Sequence, residues 1–103
     1  MAKTFYESMV QDVLPSARSQ IAKRLMEHGL SQKQVAERLG VSQPAISQYK
    51  RDLRGYKKGI FTDHPELLDM IDKIAMKVAN GQLDMNGAMA ELFSACQEAM
   101  KRE

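Results

Sequence analysis

Tryptophan is absent from this 103-residue chain, cysteine occurs once, and aromatic residues make up 6% of it. A lone cysteine cannot form an internal disulfide, and its sparing use fits a reducing, cytoplasmic location. No run of about 18 apolar residues occurs, so no membrane-spanning helix and no membrane partner are expected. The opening MAKTFYESMVQDVL carries charges and has no apolar stretch of the signal-peptide kind. Repeats and low-complexity tracts are missing. So are a phosphate-cradling glycine loop, a nucleophile–base set and a carboxylate pair, so neither an enzyme nor a cofactor is expected. Few aromatics also speak against RNA recognition, which commonly stacks bases on exposed rings.

What is present is an uneven charge. The net value is only +2, but residues 16–58 hold ten basic side chains against three acidic ones, an excess of +7. The basic residues are Arg18, Lys23, Arg24, Lys33, Arg38, Lys50, Arg51, Arg54, Lys57 and Lys58. Residues 59–103 carry four basic and eight acidic side chains, a balance of −4. A basic block of this kind suits a polyanion such as double-stranded DNA, and the acidic tail should stand away from it. The plainer alternative is a solvated surface that happens to be basic.

The chain length is that of one domain, and its 44% apolar content can build a single core. Domains this small are marginal and often lean on a partner. Thr4 followed by Glu7 opens a short helix carrying Phe5, Met9 and Val13, and Pro15 marks a boundary before the next helix. That helix puts Ile21, Ala22, Leu25 and Met26 on one stripe, Lys23, Arg24 and Glu27 on the other, and closes at Gly29. LSQKQVAERLGVSQPAISQYKR then holds two short helical patterns broken at GVS. Isolated helices of this length are marginal in water, so each must be braced by something. Ser31 and Gln34 form a capping box, Val35, Ala36 and Leu39 face inward, and Gly40 supplies the turn. Val41 fills the corner of that turn, Ser42 caps the second piece, and Pro44 falls in its first turn, where its missing N–H costs nothing. Only Ile46 and Tyr49 are substantially apolar there, so this helix buries one narrow edge and shows a polar face outward.

RGYKKG reads as a basic loop. Beyond it, Thr62 or Asp63 begins a helix bearing Leu67, Leu68, Ile71, Ile74, Ala75 and Val78, which ends at Asn80–Gly81. Asp84 caps the last helix, whose inward residues run from Met85 through Leu92, Phe93 and Cys96 to Met100. The chain is therefore all-α: a helix-turn-helix region over 1–58 (motif 31–51), then a helical hairpin over 59–103 that is a candidate dimerisation element. Leu68, Ile71, Leu92 and Phe93 are candidates for either the dimer interface or the hairpin core, and pattern alone does not separate the two. Cys96 sits on an apolar face and reads as a small hydrophobe. His28 and His64 lie far apart, so no metal site is expected. Most of the eight methionines stand at core spacing.

The outward face of the helix at 42–50 is the informative one. In the major groove a glutamine can donate to and accept from adenine together, and recognition helices enter the groove N-terminus first. Gln43 is the leading base-contact candidate, with Pro44, Ser47 and Gln48 beside it. Ser31, Gln32 and Ser42 stand at helix starts, where N–H groups and hydroxyls can hold phosphate, and Lys50, Arg51, Arg54, Lys57 and Lys58 can meet phosphate directly.

The segment Gln32–Arg51 resembles the helix-turn-helix of the lambda-repressor/Cro (Xre-type) class, through Ala36 and Gly40 and apolar Val35, Leu39, Val41, Ile46 and Tyr49. LPSARSQIAKRLMEHGLSQKQVAERLGVSQPAISQYKRDLRG is more narrowly similar to a group of small archaeal helix-turn-helix regulators. The resemblance implies a lambda-repressor-like bundle and the same division into base and phosphate contacts. The function expected is a sequence-specific DNA-binding transcriptional regulator acting as a homodimer, since two copies double the site read. The alternative is an antitoxin-like DNA-binding module that holds a partner protein through its C-terminal helices. Operator and effector are not legible.

Overall fold

The computed structural model describes residues 4–52 and 65–101. Helix α1 (Phe5–Ser8) starts at Thr4, whose hydroxyl accepts the Glu7 N–H at 3.1 Å. The expected stop before Pro15 does not occur. A π-helical turn (Met9–Val13) carries α1 directly into α2 (Leu14–Glu27), with the Leu14 N–H bonded five residues back to the Met9 carbonyl. A proline inside an α-helix strikes the carbonyl four residues before it. A wider turn moves those carbonyls out of register, so Pro15 is accommodated without ending the helix.

The helix-turn-helix follows as α3 (Gln32–Leu39) and α4 (Gln43–Asp52). The capping box at the head of α3 is complete. Gln34 N–H donates to Ser31 Oγ at 3.2 Å, and Ser31 N–H donates to Gln34 Oε1 at 2.8 Å. Helix α3 ends at Gly40 with φ 71°, where Val41 N–H reaches the Ala36 carbonyl at 3.0 Å. That left-handed turn is what lets the chain reverse in so few residues. The same closing bond recurs at Leu30 after α2. Ser42 Oγ then accepts the Ala45 N–H at 3.3 Å and begins α4.

Two longer helices complete the fold, α5 (Glu66–Ala79) and α6 (Met85–Lys101). Thr62 and Asp63, the expected start of α5, lie outside the described residues. Asp84 caps α6 as expected, accepting the Gly87 N–H at 2.8 Å. The turn between α5 and α6 comes up against α3. A Cβ on Gly40 would stand 3.8 Å from that of Asp84, and one on Gly81 would stand 3.4 Å from an Arg38 guanidinium nitrogen.

Helix α2 lies at the centre, packed by α4, α5 and α6. Ile21 and Leu25 are fully enclosed, in one cluster with Val35, Leu39 and Ile46 on one side and Ile71, Val78 and Leu92 on the other. Ile71 and Leu92 therefore take the core role of the two left open by the sequence, within a single chain. Leu68 and Phe93 are half-buried, and the Phe93 ring meets Phe5 and Tyr6 edge-on at 5.5 and 6.1 Å. The methionines divide as well: Met9, Met85 and Met89 are buried, whereas Met76 is 45% exposed.

Three buried polar residues on α2 depart from the apolar stripe expected there: Ser16, Ser19 and Gln20. With helices on several sides, α2 has little solvated face left, and small side chains such as Ser16, Ala17 and Ser19 allow close approach. Arg24, expected on the polar side, is half-buried and paired with Asp72 on α5 and with Glu27 at 3.6 Å. Lys77 pairs with Glu91 at 2.8 Å and ties α5 to α6. Exposed pairs of this kind are each worth about 0–1 kcal/mol, so they orient the helices more than they hold them.

Cys96 is buried, as its apolar face implied. Burial first, and the Glu66 carboxylate second, push its thiol from 9.0 up to about 11. A thiol held protonated is a poor nucleophile.

Two predictions come from this packing. Ser19 Oγ is buried with no hydrogen-bond partner among the described residues. Ser19→Ala should therefore leave stability unchanged or raise it, whereas Ser31→Ala, which removes a cap, should cost about 1 kcal/mol. Urea denaturation compares them, and a loss at Ser19 as large as at Ser31 would mean the hydroxyl is satisfied. The second concerns alkaline pH. The unfolded chain loses its thiol proton near pH 9.0 while the folded chain keeps it to about 11. Stability should then fall as pH rises through that window, by up to roughly 2–3 kcal/mol. The stability gap between wild type and Cys96→Ala, measured at pH 8 and pH 11, should narrow by that amount; a constant gap would refute it.

Candidate nucleic-acid interface

Helix α4 has one edge to bury and one to show. Ile46 is fully enclosed and Tyr49 half so, which pins the helix against α2 and α3. Gln43, Pro44 and Gln48 are consequently exposed on the outward side, and Ser47 is half-buried between the two faces. All four expected base-contact residues thus sit on or beside the open side of α4.

The start of α3 stands next to them. Gln32 Nε2 donates to Ser47 Oγ at 3.1 Å, so a residue expected to meet phosphate is bonded to one expected to meet a base. Lys50 and Arg51 are exposed in the last turn of α4. Together Gln32, Ser47, Lys50 and Arg51 line an open recess of about 340 Å³. Two cations and two neutral polar groups, with no acid among them, give this recess one sign of charge. Two larger recesses, of about 540 and 500 Å³, share Glu37 with Arg38 and so mix both signs. A polyanion is served by the first and not by the others.

The hydrogen bonds also limit what each helix-start serine can offer. Ser31 has committed its N–H and one lone pair of its hydroxyl oxygen to the capping box, and Ser42 has committed one lone pair to Ala45. What either hydroxyl can still give an anion is its own hydrogen. Lys33, counted above only within the basic block, is exposed in the first turn of α3. Its place next to Gln32 in the sequence was the available signal. Gln48 accepts from Arg51 at 2.7 Å, a link between neighbouring turns that residue types alone do not reveal. Arg54, Lys57 and Lys58 lie outside the described residues.

Among the described residues no group of three His, Cys, Asp or Glu side chains could hold a metal ion. His28 is exposed at the end of α2, and His64 lies outside the described residues. No described helix is long and apolar enough to cross a membrane.

Residues 21–55 match the helix-turn-helix family, a DNA-binding regulatory domain rather than an enzyme family. The matched stretch begins within α2 and spans α3, the Gly40 turn and α4. No curated protein and no solved structure gives a significant match. Residues 21–55, about a third of the chain, are therefore similar to a lambda-repressor-like helix-turn-helix, set in a fold that is mainly helical and free of strands among the described residues.

Proposed function

We propose that this protein is a sequence-specific transcriptional regulator that binds double-stranded DNA as a homodimer, with residues 42–50 in the major groove. The observation that carries the reading is the polar side of α4, held outward by Ile46 next to a recess whose charge is wholly basic. In this reading Gln43, Pro44, Ser47 and Gln48 meet base edges. Ser31, Gln32, Ser42, Lys50 and Arg51 meet phosphate, and so do Arg54, Lys57 and Lys58. The narrower likeness to small archaeal regulators and a cytoplasmic setting belong to the same reading.

The half-buried Leu68 and Phe93 are the proposed dimer contacts. Tyr6, whose ring meets Phe93 edge-on and which is 64% exposed, adds apolar surface beside Phe93. Small DNA-binding domains gain selectivity by pairing, because a second copy doubles the base pairs read. Sedimentation of the purified chain at micromolar concentration should show a two-chain species. A lone chain at that concentration would retire the homodimer.

Selection of bound duplexes from a random pool should return a palindrome. Gln43→Ala should relax one base position per half-site and lower specific affinity by about 1–3 kcal/mol. Lys50→Ala should instead weaken binding to every sequence and lower the salt slope by about one unit. The Lys73→Ala/Lys77→Ala double variant should leave the slope unchanged, since Lys77 is occupied with Glu91. An unaltered consensus after Gln43→Ala would show that another face of the protein reads the bases.

A further inference from the structure

The larger of the two mixed-sign recesses, about 540 Å³, lies between the end of α3 and the turn joining α5 to α6. Small-molecule sites span roughly 300–1,000 Å³. Glu37 and Arg38 line it from α3, and Leu83 and Asp84 line it from the turn; none of them borders the basic recess at Lys50 and Arg51. Its charges are present but unpaired. Among the described residues the Glu37 and Arg38 side chains make no hydrogen bond or ion pair. Asp84 gives Oδ1 to the Gly87 N–H and keeps its other carboxylate oxygen. The Arg38 guanidinium leans against the turn where Gly81, at φ 79°, has no side chain: a Cβ there would stand 3.4 Å from Nη1.

We propose that this recess binds a free basic α-amino acid such as lysine: Arg38 takes the carboxylate, Glu37 and Asp84 take the two ammonium groups, and Leu83 lies along the methylene stem. Two carboxylates and one guanidinium give the recess a surplus of one negative charge. A ligand with two cations and one carboxylate mirrors both the signs and the surplus. A simple anion would meet two carboxylates, and a diamine would leave the guanidinium facing a cation. The guanidinium fork matches the two oxygens of a carboxylate. The carboxyl end of α5 at the same turn favours a cation nearby but uses none of its N–H donors. Leu83 is half-buried and offers the apolar contact that a methylene stem takes readily. The site is separate from the DNA-binding reading and stands or falls without it.

The test is titration calorimetry of the full chain with free lysine, norleucine and cadaverine as probes. Norleucine lacks the side-chain ammonium, and cadaverine lacks the carboxylate. Each should bind about tenfold or more weakly than lysine, the size of one lost contact between charged groups. Arg38→Met should weaken lysine by a similar factor and leave cadaverine unchanged. Equal affinity for the three probes, or no binding of lysine at millimolar concentration, would overturn the proposal. So would Arg38→Met holding lysine as tightly as wild type does, or losing lysine and cadaverine to the same extent.

Discussion

Everything at the proposed interface depends on the burial of α2. A helix that presents polar side chains cannot also contribute much to a core, and among its described side chains α4 has one fully enclosed residue, Ile46. An isolated pair of helices as short as α3 and α4 would not persist in water. Helix α2 resolves the conflict by giving Ile21 and Leu25 to a cluster that α3 and α4 enter from one side and α5 and α6 from the other. Burial of large side chains on α2 and the longer helices, at about 1.5–3 kcal/mol each, stabilises a helix that could not stabilise itself.

Given that anchor, the position of α4 is set by backbone hydrogen bonds more than by side-chain chemistry. The left-handed Gly40 and the Val41-to-Ala36 bond end α3 abruptly, and Ser42 starts α4 at once. The short connection brings the first residue of α3 within hydrogen-bond reach of the middle of α4, where Gln32 meets Ser47. The recess that gathers Lys50 and Arg51 is a consequence of that turn. Its charge comes from the sequence, and its shape from the angle between two helices.

Much of this was legible in the residues. Capping at Ser31, Ser42 and Asp84, the turn at Gly40 and the inward set Val35, Ala36, Leu39 and Ile46 all followed from spacing and from the few conformations those residue types favour. Pro15 was not legible, because a π-helical turn has no signature in apolar periodicity and proline is ordinarily a boundary. Ser16, Ser19 and Gln20 were missed for a related reason. Periodicity finds one apolar stripe, whereas α2 is covered by helices on several sides and buries small and polar side chains of its own. Arg24 shows the same limit, since only the fold brings Asp72 to it from 48 positions away. At the site, residue types located the face, but which polar group is bonded to which required the structure.

The commitment of those polar groups matters more than their number. A sequence shows a row of serines and glutamines on α4, each nominally able to donate and to accept. In the folded chain Ser42 is taken up by Ala45, Ser47 accepts from Gln32, and Gln48 accepts from Arg51. Each bond uses one donor and one acceptor, so fewer polar groups are left uncommitted there than the composition suggests. The C-terminal helices share in that outcome even though the family match ends at residue 55. Asp84 and Gly81 lie against Gly40 and Arg38, and Ile71 and Leu92 close the core beneath α2. The stretch that matches the helix-turn-helix family is thus shorter than the unit that must fold to hold its polar side outward.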